Sequence, residues 1–424
     1  MDIDSNTKPV TKVTLPNGVR VLLDEMPHAQ SAALGFWVDV GSRDEPLELA
    51  GACHFLEHML FKGTPRRSAL AIAQSLEVSG GSLNAFTDKE STCFHARVLA
   101  SELPEAIDVL SDMLRNSLLD SQEILREKAV VCEEIKMYAD TPDDLVHELA
   151  YANAWQDHPL ARPVTGTLQS VRRLSRRRLK DFMFNHYAAN NLLVAVAGKF
   201  DANAVLAQLH STLGDLPAAS PRQPMTAPVF HPGRRLRFRD IEQIQMMLLT
   251  PGVPATDERR YAMTLLNSIL GGGMSSRLFQ EVREKRGLVY AIGTFEAMFR
   301  EGGVFAVSAG MSPRNLPEVL SLVEDSLAQV AGGTVSEDEL LQAKRQMRGS
   351  LQLAMEVPRH RMMRMAQDEL YYGREIPIEE VLLRVEAVSL EDLRGLGQSL
   401  LRPNDAHVTL VGPVRRWPRQ VMLH

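Results

Sequence analysis

His54, Glu57 and His58 form an H-x-x-E-H run inside the segment Gly51–Phe61. On a helix, residues four apart share a face, so His54 and His58 can offer ring nitrogens to one cation. Zinc takes two imidazoles readily, at angles that one helical turn can supply. Glu57 stands beside the pair and can reach a water on the cation without holding the ion itself. A reactive zinc site uses a third protein ligand and leaves the fourth position to water. The third ligand is therefore sought on another helix. Asp120 is a good N-cap, with Glu123 three residues on as in a capping box. The helix it opens carries Glu127, Lys128, Glu133, Glu134 and Lys136. Glu127 and Glu134 are two turns apart and share a face, but spacing does not choose between Glu133 and Glu134.

The elements that must position these residues come in two rounds. LPEAIDVLSDML from Leu103 is echoed by LPEVLSLVEDSL from Leu316. SQEILREKAV from Ser121 is echoed by SEDELLQAKR from Ser336, and LLVAVAG ending at Gly198 by HVTLVG ending at Gly412. The three displacements lie between 213 and 215 residues, the signature of a diverged tandem duplication. Applied to the motif residues, they send His54 and His58 to Ser268 and Gly272, and Glu127 and Glu134 to Gln342 and Gly349. The second half has thus lost the ligand set, and one metal site per chain is expected.

Pro217, Pro221, Pro224, Pro228 and Pro232 alternate with small and polar residues. This spacing forbids helix and removes ladder donors. The expected division is a first domain over 1–216, a connector over 217–232 and a homologous domain over 233–424. Thr11–Leu15 and Val19–Leu23 flank Pro16, Asn17 and Gly18 as a hairpin would. Ala33–Val40 is strand-like. Helical periodicity marks Ala69–Val78, Pro104–Arg115, Ser121–Met137 and Leu174–Tyr187. Strands interrupted by long helices, with hairpin signals, predict an α+β fold. Each half should lay helices on one face of an antiparallel or mixed sheet.

Composition narrows the function. The net charge of −6 gives no electrostatic case for nucleic acid. The cluster Arg172, Arg173, Arg176, Arg177, Arg178 and Lys180 is expected to be a solvated helix face. Three scattered cysteines, Cys53, Cys93 and Cys132, give neither a disulfide framework nor a thiolate metal site. MDIDSNTKPV has no apolar core and no signal-peptide character. No run of 18 or more apolar residues suggests a membrane span. A cytoplasmic protein is expected.

HFLEHMLFKGT followed by EKAVVCEEIKM resembles the inverzincin zinc peptidases, the group of pitrilysin, insulin-degrading enzyme and the mitochondrial processing peptidases. The histidine–glutamate order inverts that of the commoner zinc-protease helix. The resemblance covers essentially the whole chain and suggests a short two-domain member. It implies a zinc metalloendopeptidase with His54, His58 and Glu134 as ligands, since the family's third ligand lies about 76 residues past the second histidine. Glu57 would be the catalytic base and Glu127 a supporting glutamate. It also implies that Arg283 and Tyr290 contact substrate and stabilise the oxyanion, as such chemistry requires. The strand Ser82, Leu83, Asn84, Ala85 and Phe86 would pair with extended peptide through main-chain bonds. By analogy with longer members, two copies would close as a homodimer with Arg283 and Tyr290 supplied in trans. The family also contains non-catalytic core subunits and catalytic subunits of heterodimeric processing peptidases, which are the alternative readings. The run Gly271–Gly273 lacks the Gly-Lys-Ser/Thr ending of a phosphate-binding loop.

Overall fold

The computed structural model describes residues 10–219 and 225–417. Most of the N-terminal segment, and Pro221 and Pro224 of the connector, lie outside the described residues. In chain order the first half contains β1 (Thr11–Thr14), β2 (Arg20–Glu25), β3 (Ser31–Val38), α1 (Ala52–Leu60), α2 (Ala69–Glu77), β4 (Ser82–Thr87) and β5 (Thr92–Leu99). It continues through α3 (Leu103–Asn116), α4 (Ser121–Asp140), α5 (Pro142–Ala154), α6 (Leu168–Arg173), α7 (Arg176–His186), β6 (Leu192–Gly198) and α8 (Ala202–Leu213). The second half contains β7 (Gly233–Phe238), β8 (Ile244–Pro251), α9 (Arg260–Leu270), β9 (Val289–Met298), β10 (Gly303–Met311) and α10 (Leu316–Ala331). It ends with α11 (Glu337–Ala354), α12 (Pro358–Tyr372), α13 (Ile378–Ala387), α14 (Leu390–Leu400) and β11 (His407–Gly412).

The duplication expected from the sequence is visible in the strand orders. One sheet runs β1-β2-β6-β3-β5-β4 and the other β7-β11-β8-β10-β9. With β1 set aside, the two orders are the same. Each sheet contains one parallel pair, β2 with β6 and β7 with β11, among antiparallel neighbours. The α+β expectation therefore holds, with mixed sheets. The first hairpin pairs Thr11 with Leu23 and Thr14 with Arg20, and Gly18 supplies the positive φ of 101° that its turn needs.

Each sheet buries one face under helices of its own half. In the first, Leu34, Phe36 and Val194 meet Phe55, Leu56, Leu110 and Leu179. In the second, Met246, Leu248 and Leu410 meet Leu266, Leu320 and Leu393. The opposite face of each sheet would expose alternate strand residues to water, at a cost of roughly 25 cal/mol per Å² of apolar surface. Each is instead covered by one helix from the other half of the sequence. Met362, Met365 and Ala366 of α12 sit on Ala33, Trp37, Leu193 and Ala195. Val146, Ala150 and Ala154 of α5 sit on Met247, Leu249 and Val411.

The two compact units follow this exchange. The first comprises Met1–Ile135, Pro163–Gln223 and Gln352–Ile376; the second comprises Lys136–Arg162, Pro224–Leu351 and Pro377–His424. Among the described residues no helix is long and apolar enough to cross a membrane. The basic cluster on α6 and α7 is exposed throughout, as a solvated face should be.

Candidate metal centre

The helix carrying the H-x-x-E-H run begins at an unusual corner. Gly51 has a φ of 92°, and a side chain there would place its Cβ 2.5 Å from the Thr165 carbonyl oxygen. Only glycine suits that backbone. Gly51 offers no capping side chain, so a distant carboxylate does the work. Glu45 accepts the amides of Gly51 at 2.7 Å and Cys53 at 2.6 Å, which satisfies donors that a helix start leaves open. Ala52, Cys53, Phe55, Leu56, Met59 and Leu60 are buried and anchor α1 in the core. His54 is nearly buried beside them, while Glu57 and His58 are half-buried on the flank.

The partner helix starts as expected, with Asp120 accepting the amides of Gln122 and Glu123. The side chain of Glu123 pairs with Arg126. The buried Ile124, Glu127 and Val131 turn one face of α4 inward. Glu134 lies on that face two turns beyond Glu127, whereas Glu133 points outward and is exposed.

His54, His58 and Glu134 come together, their ligand atoms all within 4.8 Å of one another. His54 Nε2 is 3.6 Å from Glu134 Oε1, and His58 Nε2 is 3.7 Å from Glu134 Oε2. These gaps are too long for hydrogen bonds. They are close to the ~3.4 Å that separates two donors about 2.0–2.1 Å from one tetrahedral ion.

Glu127 sits behind the cluster. Its Oε1 is 2.8 Å from His58 Nδ1 and its Oε2 is 2.6 Å from Lys62 Nζ. An Nδ1 proton donated to Glu127 leaves the His58 Nε2 lone pair facing the cluster, the outer-shell arrangement common at metal-bound histidines. His54 lacks this support: among the described residues its buried Nδ1 has no hydrogen-bond partner. Glu57 takes its hydrogen bond from elsewhere, as Thr87 Oγ1 donates to its Oε2 at 2.6 Å.

Electrostatics agree with a cation site. Burial and the neighbouring His58 pull the His54 imidazole down to about 4, so it stays neutral, as a ligand must. Burial pulls His58 the same way, yet the hydrogen bond and charge of Glu127, with Glu134 and Glu57 behind it, leave it above the ordinary imidazole value. Burial raises the Glu57 carboxyl above its usual range, against the hydrogen bond from Thr87. Glu127 is also disfavoured as an anion by burial, but His58 and Lys62 more than offset this and hold it low. Three carboxylates thus surround two imidazoles with Lys62 as the paired ammonium. The two-nitrogen, one-carboxylate donor set suits zinc.

The other sequence-derived residues are placed as follows. Ser82, Leu83, Asn84, Ala85 and Phe86 lie on β4, the outermost strand beside β5 in the first sheet. Leu83 and Ala85 lean on the core, and Ser82 and Asn84 are exposed. Arg283 and Tyr290 belong to the second unit, on a π-helical turn (Phe279–Glu284) and at the start of β9. The Arg283 guanidinium carbon lies 5.6 Å from the centre of the Tyr290 ring and 4.7 Å from that of Phe279, within cation–π range. Tyr290 is 79% exposed.

Two neighbours of the cluster were not singled out from the sequence, Lys62 and Thr87. Lys62 lies four residues past His58, so its charge could have been matched to Glu127. Thr87 ends a strand, and nothing local ties it to Glu57. The repeat register also needs adjustment. The buried Ala52, Cys53, Leu56, Met59 and Leu60 correspond to Ala262, Met263, Leu266, Ile269 and Leu270, which places His54, Glu57 and His58 on Thr264, Asn267 and Ser268. The cap of α11 is Ser336, which accepts the Glu339 amide, so Glu127 and Glu134 fall on Ala343 and Ser350. Connections of different length let a single displacement drift, and the second unit lacks the ligand set in either register.

The family model described as Insulinase (Peptidase family M16) matches residues 20–168, and the model described as Peptidase M16 inactive domain matches residues 173–347. An uncharacterized zinc protease of Streptomyces coelicolor is 42% identical over 416 residues, covering 96% of this chain and 90% of that protein. An uncharacterized zinc protease of Bacillus subtilis is 36% identical over 409 residues, covering 96% of this chain and all of that protein. Among solved structures, a peptidase M16 inactive domain from Pseudomonas fluorescens superposes with a TM-score of 0.90 at 21% identity, covering 96% of this chain and 98% of that one. The chain belongs to the M16 peptidase family, as a short member built from two tandem domains.

Proposed function

We propose that this protein is a zinc metalloendopeptidase that cleaves oligopeptides or unfolded, presequence-like polypeptides. The observation that carries the reading is the convergence of two imidazoles and one carboxylate from two helices, with a further carboxylate beside them. In this reading His54, His58 and Glu134 hold one zinc ion per chain. When bound, zinc supplies Lewis acidity to an attacking water and to the scissile carbonyl. Glu57 accepts the proton of the attacking water and returns it to the leaving amine. Burial raises its carboxyl above the ordinary range, the direction that suits a group which must both take and give a proton. Glu127 keeps His58 oriented, with Nδ1 at its carboxylate and Nε2 towards the cluster. Main-chain groups of Ser82–Phe86 on the outermost strand receive the peptide as an added strand, a mode that places few demands on substrate sequence.

Arg283 and Tyr290 supply positive charge and a hydroxyl to the developing oxyanion. Their contact with each other supports a joint role. In the proposed homodimer they serve the partner's metal centre, so light scattering should give twice the 47.2 kDa chain mass. A fully active monomer refutes the trans arrangement. We assign the protein to the cytoplasm because Cys53, Cys93 and Cys132 are all free and buried, as suits a reducing compartment.

The deciding experiment is Glu57→Gln with a quenched-fluorescent peptide library. The variant should keep equimolar zinc and lose turnover by about 10²–10⁴-fold, the range of a general base. Turnover near that of the native protein removes Glu57 from its role. Absence of chelator-sensitive hydrolysis in the native protein removes the peptidase reading.

A further inference from the structure

Glu57 differs from the residues around it in how it is held. His54 is packed into the core and His58 is tethered by Glu127, but Glu57 lies on the flank of α1. Among the described residues its hydrogen-bond partner is the Thr87 hydroxyl, 2.6 Å from Oε2. A hydroxyl bound to a carboxylate at that distance is a charge-assisted contact. Threonine is stiff about χ1 because of its branched Cβ, so the donor has little freedom to follow a wandering glutamate.

Thr87 is itself fixed by the turn that follows it. It pairs with Thr92 across the β4–β5 ladder. The turn closes through Asp88, whose carboxylate accepts the amides of Glu90 at 2.7 Å and Ser91 at 2.6 Å. The Asp88 amide donates to the Ser91 carbonyl at 2.9 Å. A second strand of chain clamps the turn from outside: the amides of Ser42 and Arg43 donate to the carbonyls of Asp88 and Lys89 at 3.1 and 2.9 Å. Gly41 permits that approach, since a Cβ there would lie 2.5 Å from the turn backbone. Beneath the turn, buried Glu90 pairs with buried Arg43 and accepts the Tyr371 hydroxyl at 2.8 Å. Tyr371 lies on α12, the helix that the first unit draws from the second half of the sequence. This turn is pinned on three sides, and it presents one hydroxyl to the side chain proposed as the base.

We propose that Thr87 is the positioning residue for Glu57: it holds one carboxylate oxygen so that the other faces the attacking water. Because Thr87 ends β4, it also fastens the base to the strand proposed to receive the peptide backbone. Displacement of a catalytic group by about 1 Å costs up to 10²-fold in rate, and a tethered carboxylate avoids that loss. The inference rests on the peptidase reading above.

The test compares Thr87→Val, which keeps the shape and removes the donor, with Thr87→Ser, which keeps the donor. Thr87→Ala is measured alongside, in case the valine disturbs the strand. Zinc content, kcat and KM on one fluorogenic peptide, and thermal midpoint are read for each. Valine and alanine should lower kcat by about 10–100-fold with KM within about twofold and zinc equimolar. Serine should recover kcat to within a few-fold of native. A native kcat in both valine and alanine variants overturns the proposal. So does a serine variant as slow as valine, or a rise in KM at unchanged kcat. Glu57→Gln is run in parallel. An inactive Glu57→Gln beside a fully active Thr87→Val sinks only the positioning role, whereas an active Glu57→Gln sinks the assignment of the base itself.

Discussion

If His54, His58 and Glu134 hold zinc as proposed, removing Glu127 should weaken that binding without removing a ligand. Glu127 is 3% exposed and bonds His58 Nδ1 at 2.8 Å and Lys62 Nζ at 2.6 Å. In Glu127→Ala the His58 Nδ1–H loses its acceptor and Lys62 loses its counter-charge beside the bound cation. A charge-assisted hydrogen bond contributes about 1.5–3 kcal/mol. Outer-shell partners of metal-bound histidines typically account for about 10–100-fold in affinity, which is about 1.4–2.7 kcal/mol by the same arithmetic. The two routes agree on at least a tenfold loss. Glu127→Gln keeps an acceptor for His58 but removes the charge, so it should fall between alanine and native. Glu134→Ala, which removes a proposed donor to the ion, should be worse than either. Competition against a fluorescent zinc chelator at pH 7.5 would measure all three. Native affinity in Glu127→Ala, or a glutamine variant weaker than alanine, would refute this account of how His58 is held.

Two other outcomes test the frame around the site. Glu339 is held down to about 2 by the Arg277 guanidinium, with Ser336 adding hydrogen bonds against the cost of burial. A depressed carboxylate stabilises the fold above its unfolded value near 4.5 and loses that contribution as pH falls towards 2. Glu339→Gln should therefore cost roughly 1–2 kcal/mol at pH 7, discounted for partial exposure. Its deficit in thermal midpoint should shrink steadily below pH 4.5, and a pH-independent deficit would contradict the assignment. Met362 is fully buried on the outer face of the first sheet, so Met362→Ala should cost about 2–5 kcal/mol. Hydrogen exchange should accelerate in β3 and β6 before β8 and β11; the reverse order would contradict the helix exchange.

Much of this architecture could be read locally. The one-turn spacing of His54 and His58 sets a shared helical face whatever surrounds it, because 3.6 residues per turn is a property of the backbone. Asp120 caps α4 for a similar reason: its carboxylate reaches amides two and three residues away. The duplicated landmarks implied two similar sheets, and the strand orders agree. The long apolar helical patterns fall on α2, α3, α4 and α7 within a few residues of the expected bounds.

Other features depended on residues far apart in the chain. Periodicity left Glu133 and Glu134 equivalent, since both sit within a turn of the inward stripe. The rotation of α4 against α1 turned Glu134 towards the imidazoles and Glu133 to solvent. The exchange of α5 and α12 was not legible, because an apolar helical stripe shows that a face will be buried but not against which sheet. Thr87 met Glu57 for the same kind of reason: a hydroxyl at a strand end carries no sign of its partner until the sheet edge and the helix are brought side by side. Local order along the chain sets the two imidazoles at one-turn spacing and the repeated plan. Packing selects which carboxylate approaches the imidazoles and which hydroxyl meets Glu57, since those contacts arise only when separate elements share one core.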